Sequence, residues 1–116
     1  MQRDYVVVWL GTARRIHDRH ELEEVTDRSH PLIKIALSCG LGYYCDRFDN
    51  EDPDEADYFL LVGRNLAALG LKEGALAFEA QPAELAAELE QIGNKLSAAG
   101  ITDKPALHVL FHVDNY

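Results

Sequence analysis

The amino-acid sequence predicts an α+β fold, with a mostly antiparallel sheet of about four or five strands and helices packed on one face. Residues 5–10 and 57–62 are dense in β-branched and aromatic side chains, which favour strands. Residues 82–99 carry an apolar stripe at helical spacing. Strands and helices are mixed along the chain without strict alternation, which argues against a parallel sheet. With 116 residues, 47% of them hydrophobic, residues 1–116 are predicted to form a single domain with a buried core.

The first third of the chain reads as a strand followed by two short helices. Tyr5–Leu10 is apolar on both faces, which predicts a central strand, and Gly11 is expected to end it. Residues 17–26 are charged and predict a solvent-facing helix whose inward contacts are Leu22 and Val25. Residues 29–39 fit both helical and strand spacing. Pro31 near the start and Gly40 just after the end favour a short helix.

The remaining elements alternate between strands and one long helix. Residues 42–45 predict a short strand, and residues 57–62 predict a firmer one that Gly63 ends. Residues 75–79 read as a further strand. Pro82 to Ala99 is the clearest helix, because Leu85, Leu89, Ile92 and Leu96 form one apolar stripe. Residues 106–113 alternate in polarity and predict the last strand.

Negative charge is concentrated in residues 46–57, where seven acids and one arginine give −6 of the total formal charge of −9. The other 104 residues carry 13 acids and 10 bases. This balance excludes nucleic acid as a partner, because phosphate binding requires clustered lysine and arginine. A basic protein fits such a segment better, since complementary fields steer association. The alternative is that these acids only keep a loop soluble.

No pattern in the sequence predicts catalysis, a cofactor or a metal site. A calcium-binding loop that starts at Asp46 would need glycine at its sixth position, where Glu51 stands. His108 and His112 lie about 13 Å apart along a strand, too far to chelate one ion. The carboxylate of Asp46 beside Cys45 raises the pKa of a thiol, whereas a nucleophilic cysteine requires a lowered one. The protein is therefore expected not to be an enzyme.

Hydropathy and cysteine usage point to the cytoplasm. No apolar run reaches the ~18–20 residues that a membrane span requires, and the N-terminal residues have no signal-peptide pattern. Two cysteines, Cys39 and Cys45, are expected to remain reduced in that compartment.

Two short segments in the first half of the chain carry a family resemblance. One is Val8-Trp-Leu-Gly11, followed by a charged helix with His20-Glu-Leu-Glu-Glu24. The other is Leu41-Gly-Tyr-Tyr-Cys-Asp46, which leads into the acidic residues. In this order they resemble the immunity protein 22 family of bacterial polymorphic toxin and contact-dependent growth inhibition systems. The resemblance covers roughly residues 1–60, and it departs from the family pattern at Cys45, where an acid is expected.

The resemblance implies a cytoplasmic protein that binds a cognate toxin C-terminal domain and blocks it. Many such toxins are nucleases, with a ribonuclease favoured here, and a nuclease active site is basic because it holds phosphates. Aromatic side chains are expected to anchor the contact and acids to steer it. The candidate partner-binding residues are Tyr43, Tyr44, Asp46, Phe48, Asp49, Glu51, Asp52, Asp54, Glu55, Asp57 and Tyr58.

A second interpretation belongs to another class of protein, a small oligomeric ligand-binding or regulatory α+β domain. It requires a pocket with convergent polar groups. Against the partner-binding assignment stands a simpler view, in which Tyr44 and Tyr58 are ordinary core residues and the acids only solvate a loop. The sequence does not distinguish the two interpretations, and it does not predict an oligomeric state.

Overall fold

A computed structural model describes residues 5–16, 18–47, 58–70 and 77–112. These residues form the predicted α+β fold, with four strands and three helices. Their order and bounds are β1 Tyr5–Arg15, α1 Arg19–Thr26, α2 Pro31–Ser38, β2 Gly42–Arg47, β3 Tyr58–Leu69, α3 Pro82–Ala98 and β4 Ala106–His112.

All strand pairs in the described part of the sheet are antiparallel, in the order β2-β3-β1-β4. The prediction that the first strand is central is confirmed, since β1 lies between β3 and β4. Strands β2 and β3 are neighbours and form a hairpin in which Arg47 pairs with Tyr58. The connection between them is residues 48–57, which contain most of the acidic segment and lie outside the described residues.

The helices pack on one face of the sheet, as predicted, and this side is called the helix face. Its core combines Leu10 of β1 and Leu60 of β3 with Val25, Ile33 and Ile92 from the three helices. These five side chains are buried because they alternate inward from the strands or lie on the apolar stripes of the helices. On β4 the side chains of the same face are not covered to that extent, since Leu107, Val109 and Phe111 stay 44–66% exposed.

The opposite side of the sheet, called the second face, has an apolar cluster of its own. Val7, Trp9 and Leu61 are buried there, and Tyr5 and Tyr44 pack against them. Strand β1 is therefore buried on both faces, which explains why its sequence lacks the polar alternation of a half-exposed strand.

Two glycines predicted to end strands lie inside them, and these predictions were wrong. Strand β1 continues past Gly11 to Arg15, and β3 continues past Gly63 to Leu69. The two glycines face each other in the register, with φ of +149° and +145°. A Cβ on Gly11 would lie 2.1 Å from the carbonyl oxygen of Val62. The glycines therefore allow two backbones to approach closely instead of ending the strands.

The sheet curls at this glycine pair. Tyr44 is level with Ala13 of β1, since both residues pair with Leu61. Tyr5 precedes Ala13 by eight positions, about 26 Å along an extended strand. The hydroxyl groups of Tyr5 and Tyr44 are nevertheless 2.6 Å apart. The two ends of the second face must therefore bend towards each other, and the positive φ angles of the glycines permit that bend.

Two further sequence predictions have clear outcomes. The short helix after Pro31 is confirmed, although its N-cap is the side chain of His30, a residue type that is uncommon there. The strand predicted for residues 75–79 is wrong in its described part, since residues 77–79 have no regular structure. Residues 75 and 76 lie outside the described residues.

His30 links the first two helices. Its side chain is only 3% exposed. Its Nδ1 accepts a hydrogen bond from the amide of Leu32 at 3.1 Å, so Nδ1 carries no proton. Nε2 therefore carries the hydrogen and donates to Glu21 Oε2 of α1 at 3.2 Å. Arg14 Nη2 lies 3.7 Å from the same carboxylate oxygen. The imidazole thus caps α2 and ties it to α1, and Glu21 in turn links α1 to Arg14 of β1.

Replacing His30 by alanine is expected to lower the free energy of unfolding by about 2–3 kcal/mol, because it removes a cap, a buried hydrogen bond and buried volume. His30→Asn is expected to lose about half as much, since asparagine caps a helix but is too short to reach Glu21. Urea unfolding measures both, and His20→Ala on the exposed side of α1 is the control. Equal losses for the alanine and asparagine variants would contradict the assigned link to Glu21.

Candidate functional site

A row of glycines crosses the second face of the sheet. Gly42 of β2 pairs with Gly63 of β3, which pairs with Gly11 of β1, and Ala106 of β4 continues the row. Because side chains alternate between faces, all of these positions belong to the second face. Gly42 and Gly63 of this row line a depression, which we call the trough.

The trough holds a cavity of about 590 Å³. This volume is within the range of about 300–1,000 Å³ that small-molecule sites occupy. Gly42 and Gly63 form part of its lining, together with side chains from both sides of the glycine row. The large ones are Tyr5, Val7, Trp9, Tyr43, Tyr44 and Arg64. The curl of the sheet brings Tyr5 and Tyr44 together, and it converts a shallow depression into a concave site.

Trp9 contributes a polar group that is buried in this lining. The residue is 3% exposed, and its indole Nε1–H has no hydrogen-bond partner among the described residues. A buried donor without an acceptor costs about 1–3 kcal/mol, and buried polar groups are normally satisfied. Asn65 of β3 is paired with Trp9 in the strand register. It is exposed and also lines the cavity. Two polar side chains therefore adjoin one another in a largely apolar site.

Two tyrosines and a carboxylate form a compact cluster beside the trough. The hydroxyl of Tyr5 donates to Asp46 Oδ2 at 2.7 Å, and the hydroxyl of Tyr44 donates to the same oxygen at 2.9 Å. The two hydroxyl oxygens are 2.6 Å apart. These contacts join the start of β1 to β2, two elements that β3 separates in the sheet.

The cluster keeps both tyrosines in the neutral form. Burial raises the pKa of Tyr5 well above its usual value, and the hydrogen bonds with Tyr44 and Asp46 raise it further. Burial also raises the pKa of Tyr44; the hydrogen bond to Asp46 adds to this effect, and the one with Tyr5 opposes it. A phenolate at either position would lie beside the negative carboxylate, which disfavours ionisation.

Stability is therefore expected to fall as the pH rises above about 10, where the unfolded tyrosines ionise and the folded ones stay protonated. In the folded protein the pKa of these tyrosines lies above the unfolded value. The retained protons therefore stabilise the fold at pH values below the unfolded pKa, and this stabilisation is lost as the pH rises towards the folded pKa. Urea unfolding over about pH 9–11 measures the slope. Tyr5→Phe should flatten it, whereas Tyr43→Phe, on the opposite face of β2, is the control. An unchanged slope in Tyr5→Phe would contradict the prediction.

Cys45 is the other titratable group perturbed on β2. Burial, followed by the charge of Asp46, raises the pKa of its thiol to about 11. This agrees with the effect that the sequence predicted for a neighbouring carboxylate. Both cysteines are free thiols. A thiol in this state is a poor nucleophile at neutral pH.

Comparison with protein-family models, curated proteins and solved structures gave no match in any of the three.

Within residues 5–16, 18–47, 58–70 and 77–112 no group of three or more histidines, cysteines or acids is arranged to hold a metal ion. In the same part of the chain, no helix is long and apolar enough to cross a membrane.

The candidate partner-binding residues that are described lie on both faces of the hairpin. Tyr44 and Asp46 belong to the second face. Tyr43 packs against the core of the helix face, and Tyr58 alternates with Leu60 onto that face. All four are half-buried. The other candidates lie outside the described residues, namely Phe48, Asp49, Glu51, Asp52, Asp54, Glu55 and Asp57.

Sequence reasoning did not find the trough. Trp9 lies in the core, and the absence of a partner for its indole N–H among the described residues depends on its tertiary surroundings. Tyr5 gave no signal, because its partners are 39 and 41 residues away along the chain. The three glycines were visible in the sequence, but only strand register shows that they form one row.

Proposed function

We propose that the protein is an immunity protein that binds a basic toxin domain and neutralises it by occluding its active site or an adjacent surface. The toxin is a nuclease, with a ribonuclease favoured. The observation that carries the proposal is the charge of residues 48–57, which hold six acids and no base. The family resemblance of residues 8–11 and 41–46 points in the same direction.

The concentration of this charge supports an electrostatic role. Residues 48–57 account for −6 of the formal charge of −9. The remaining 106 residues carry 14 acids and 11 bases and are close to balanced. A general need for solubility would be met by acids spread over the surface, whereas one acidic segment produces a directed field. Such a field attracts a cleft lined by lysine and arginine, as a phosphate-binding active site is.

The hairpin that carries the acids supports their use in binding. The segment is flanked by a strand pair, since Arg47 of β2 lies opposite Tyr58 of β3. Strand β2 is at the edge of the described sheet. Asp46 is fixed by the two tyrosine hydroxyls, and this rigidity reduces the entropy lost on binding. Edge strand and acids together form the surface that we assign to the partner.

The experiment uses the toxin domain encoded by the reading frame immediately upstream. We expect that domain to stop bacterial growth when expressed alone and to become harmless when this protein is co-expressed. The two purified proteins should elute as one complex, and the complex should lose the nuclease activity of the toxin. A toxic domain that neither binds this protein nor is inhibited by it would refute the proposal, as would an upstream gene with a housekeeping function.

A further inference from the structure

We propose that β4 is a self-association edge, at which two copies of this chain join their sheets by antiparallel pairing of β4 with β4. The proposal does not rest on the immunity function, because it uses no residue of the acidic segment or of the β2–β3 hairpin. It rests on the exposure pattern of β4, on the absence of charge from this strand, and on the register that a two-fold axis allows.

The exposure of β4 is the reverse of the usual pattern for an edge strand. Leu107, Val109 and Phe111 alternate along the strand and are 44%, 66% and 45% exposed, whereas the positions between them are half-buried. These three side chains belong to the helix face, because Leu107 pairs with Leu10 of the core on that face. Positions of a strand that face solvent are usually polar. An exposed apolar stripe is instead typical of a surface that another protein covers.

The backbone of β4 is also available for pairing. In the described sheet β4 has β1 on one side and no described strand on the other. Edge strands are normally protected from pairing by charges, proline or a bulge. Residues Ala106–His112 contain no proline, acid, lysine or arginine, and they pair with β1 without a register shift. Strand β2, at the other edge, carries Asp46 and Arg47. Of the two described edges, β4 is therefore the one that suits pairing.

The distribution of charge favours a second copy of this chain as the partner. The formal charge is −9, yet β4 carries no acid or base, so two copies can meet there without placing like charges opposite each other. In the joined sheet, seven strand spacings separate the two β2 strands, roughly 34 Å along the sheet. This is several times the Debye length of about 8 Å at physiological salt. A charged partner would gain no attraction from an uncharged strand.

A two-fold axis at Val109 gives the register that joins the two apolar stripes. On this axis Val109 lies opposite its own copy, and Leu107 lies opposite Phe111 of the second copy. Residues directly opposite each other project to the same face, so the six side chains form one apolar cluster. An edge of seven residues is about 24 Å long. Such an interface is small, so we expect a dissociation constant on the order of 10 μM.

Sedimentation velocity from about 1 to 200 μM measures the association. We expect a monomer at the low end and a dimer of twice its mass at the high end. Val109→Glu places two negative charges opposite each other and should weaken the dimer at least about tenfold. It should fold, since Val109 is 66% exposed. Leu37→Glu is the matched control, because Leu37 of α2 is also apolar and is 58% exposed, and it should leave the dimer unchanged.

Two single cysteine variants test the register. Val109→Cys places the two new thiols opposite each other, with Cα atoms about 4.5–5.5 Å apart, a distance that a disulfide spans. Leu107→Cys places its two thiols four positions apart, about 13 Å along the strands. Under mild oxidation Val109→Cys should therefore form a covalent dimer at least about tenfold faster. Non-reducing gels measure the rate, and the unmodified protein, with Cys39 and Cys45, gives the background.

The proposal fails if the protein stays monomeric over the whole concentration range, or if Val109→Glu dimerises as tightly as the unmodified protein. Loss of the dimer in Leu37→Glu would assign the association to another surface. Equal rates for the two cysteine variants would refute the register centred on Val109. Should urea unfolding show that Val109→Glu has lost its fold, the cysteine variants still decide the outcome, because cysteine leaves the strand uncharged.

Discussion

Replacing Gly11 by alanine is expected to destabilise the protein by about 4 kcal/mol, a large part of the about 5–15 kcal/mol that stabilises a typical domain. Two physical effects add. The φ of +149° is strained for any residue with a Cβ, which costs about 1–3 kcal/mol. The new methyl group would also lie 2.1 Å from the carbonyl oxygen of Val62 and force two paired backbones apart. Gly63→Ala should behave in the same way, because its Cβ would lie 2.2 Å from the carbonyl oxygen of Leu10.

Two other glycines separate the effects of strain and overlap. Gly100→Ala has a positive φ of +88° but no atom within 4 Å of the new Cβ, so we expect a loss of about 1 kcal/mol. Gly42→Ala has neither problem, since its closest contact is an ordinary 3.5 Å, and should cost less than about 1 kcal/mol. Urea unfolding of the four variants measures the order. A loss for Gly11→Ala no larger than that for Gly100→Ala would show that the backbone contact is not rigid.

The acidic connection is the stretch of residues 48–57 between β2 and β3. Neutralising its acids is expected to slow association with the toxin domain about tenfold or more at low ionic strength. The variant replaces Asp49, Glu51, Asp52 and Asp54 by the corresponding amides, which preserve side-chain shape and remove charge. The difference from the unmodified protein should shrink as salt is added, because the field is screened. Stopped-flow or surface-based kinetics measure the association rate. Unfolding by urea is expected to be almost unchanged, because the amides keep the size and shape of the acid side chains.

A matched control removes the same number of charges elsewhere. Amide substitutions at four exposed acids in the described elements and loops give a protein of equal net charge; these are Glu23, Glu84, Glu90 and Asp103. If position matters, this control associates nearly as fast as the unmodified protein. Equal slowing in both variants would mean that only net charge steers the encounter. If the first variant associates as fast as the unmodified protein, the acids of the connection have no role in steering and only solvate a loop.

Local patterns in the sequence were sufficient for most of the fold. The helix at Pro82–Ala98 follows from an apolar stripe with proline in its first turn, and both are properties of neighbouring residues. The central position of β1 follows from a run that is apolar on both faces. The bounds of β1 and β3 were less accurate, since glycine usually interrupts a strand. Here Gly11 and Gly63 are required by each other, across 52 positions of the chain.

In the candidate site, too, features of neighbouring residues could be predicted from the sequence, whereas contacts between distant residues could not. The acidic segment was visible at once, because charge concentration is a property of consecutive residues. Asp46 and Tyr44 were named from the sequence, but the hydroxyl of Tyr5 that completes their cluster comes from 41 residues before Asp46. Tyr43 and Tyr44 are adjacent in the chain and lie on opposite faces of β2, a consequence of strand geometry that places Tyr44 in the cluster with Tyr5 and Asp46.

The sequence by itself determined the α+β class, the three helices, the central strand and the location of the negative charge. Each of these depends on residues within a few positions of one another. Only the tertiary structure decided the glycine row, the curl of the sheet, the cavity that Tyr5 and Tyr44 help to line, and the burial of the Trp9 indole without a partner among the described residues. These depend on strand register and on contacts between distant segments, where a shift of one residue would move every side chain to the other face.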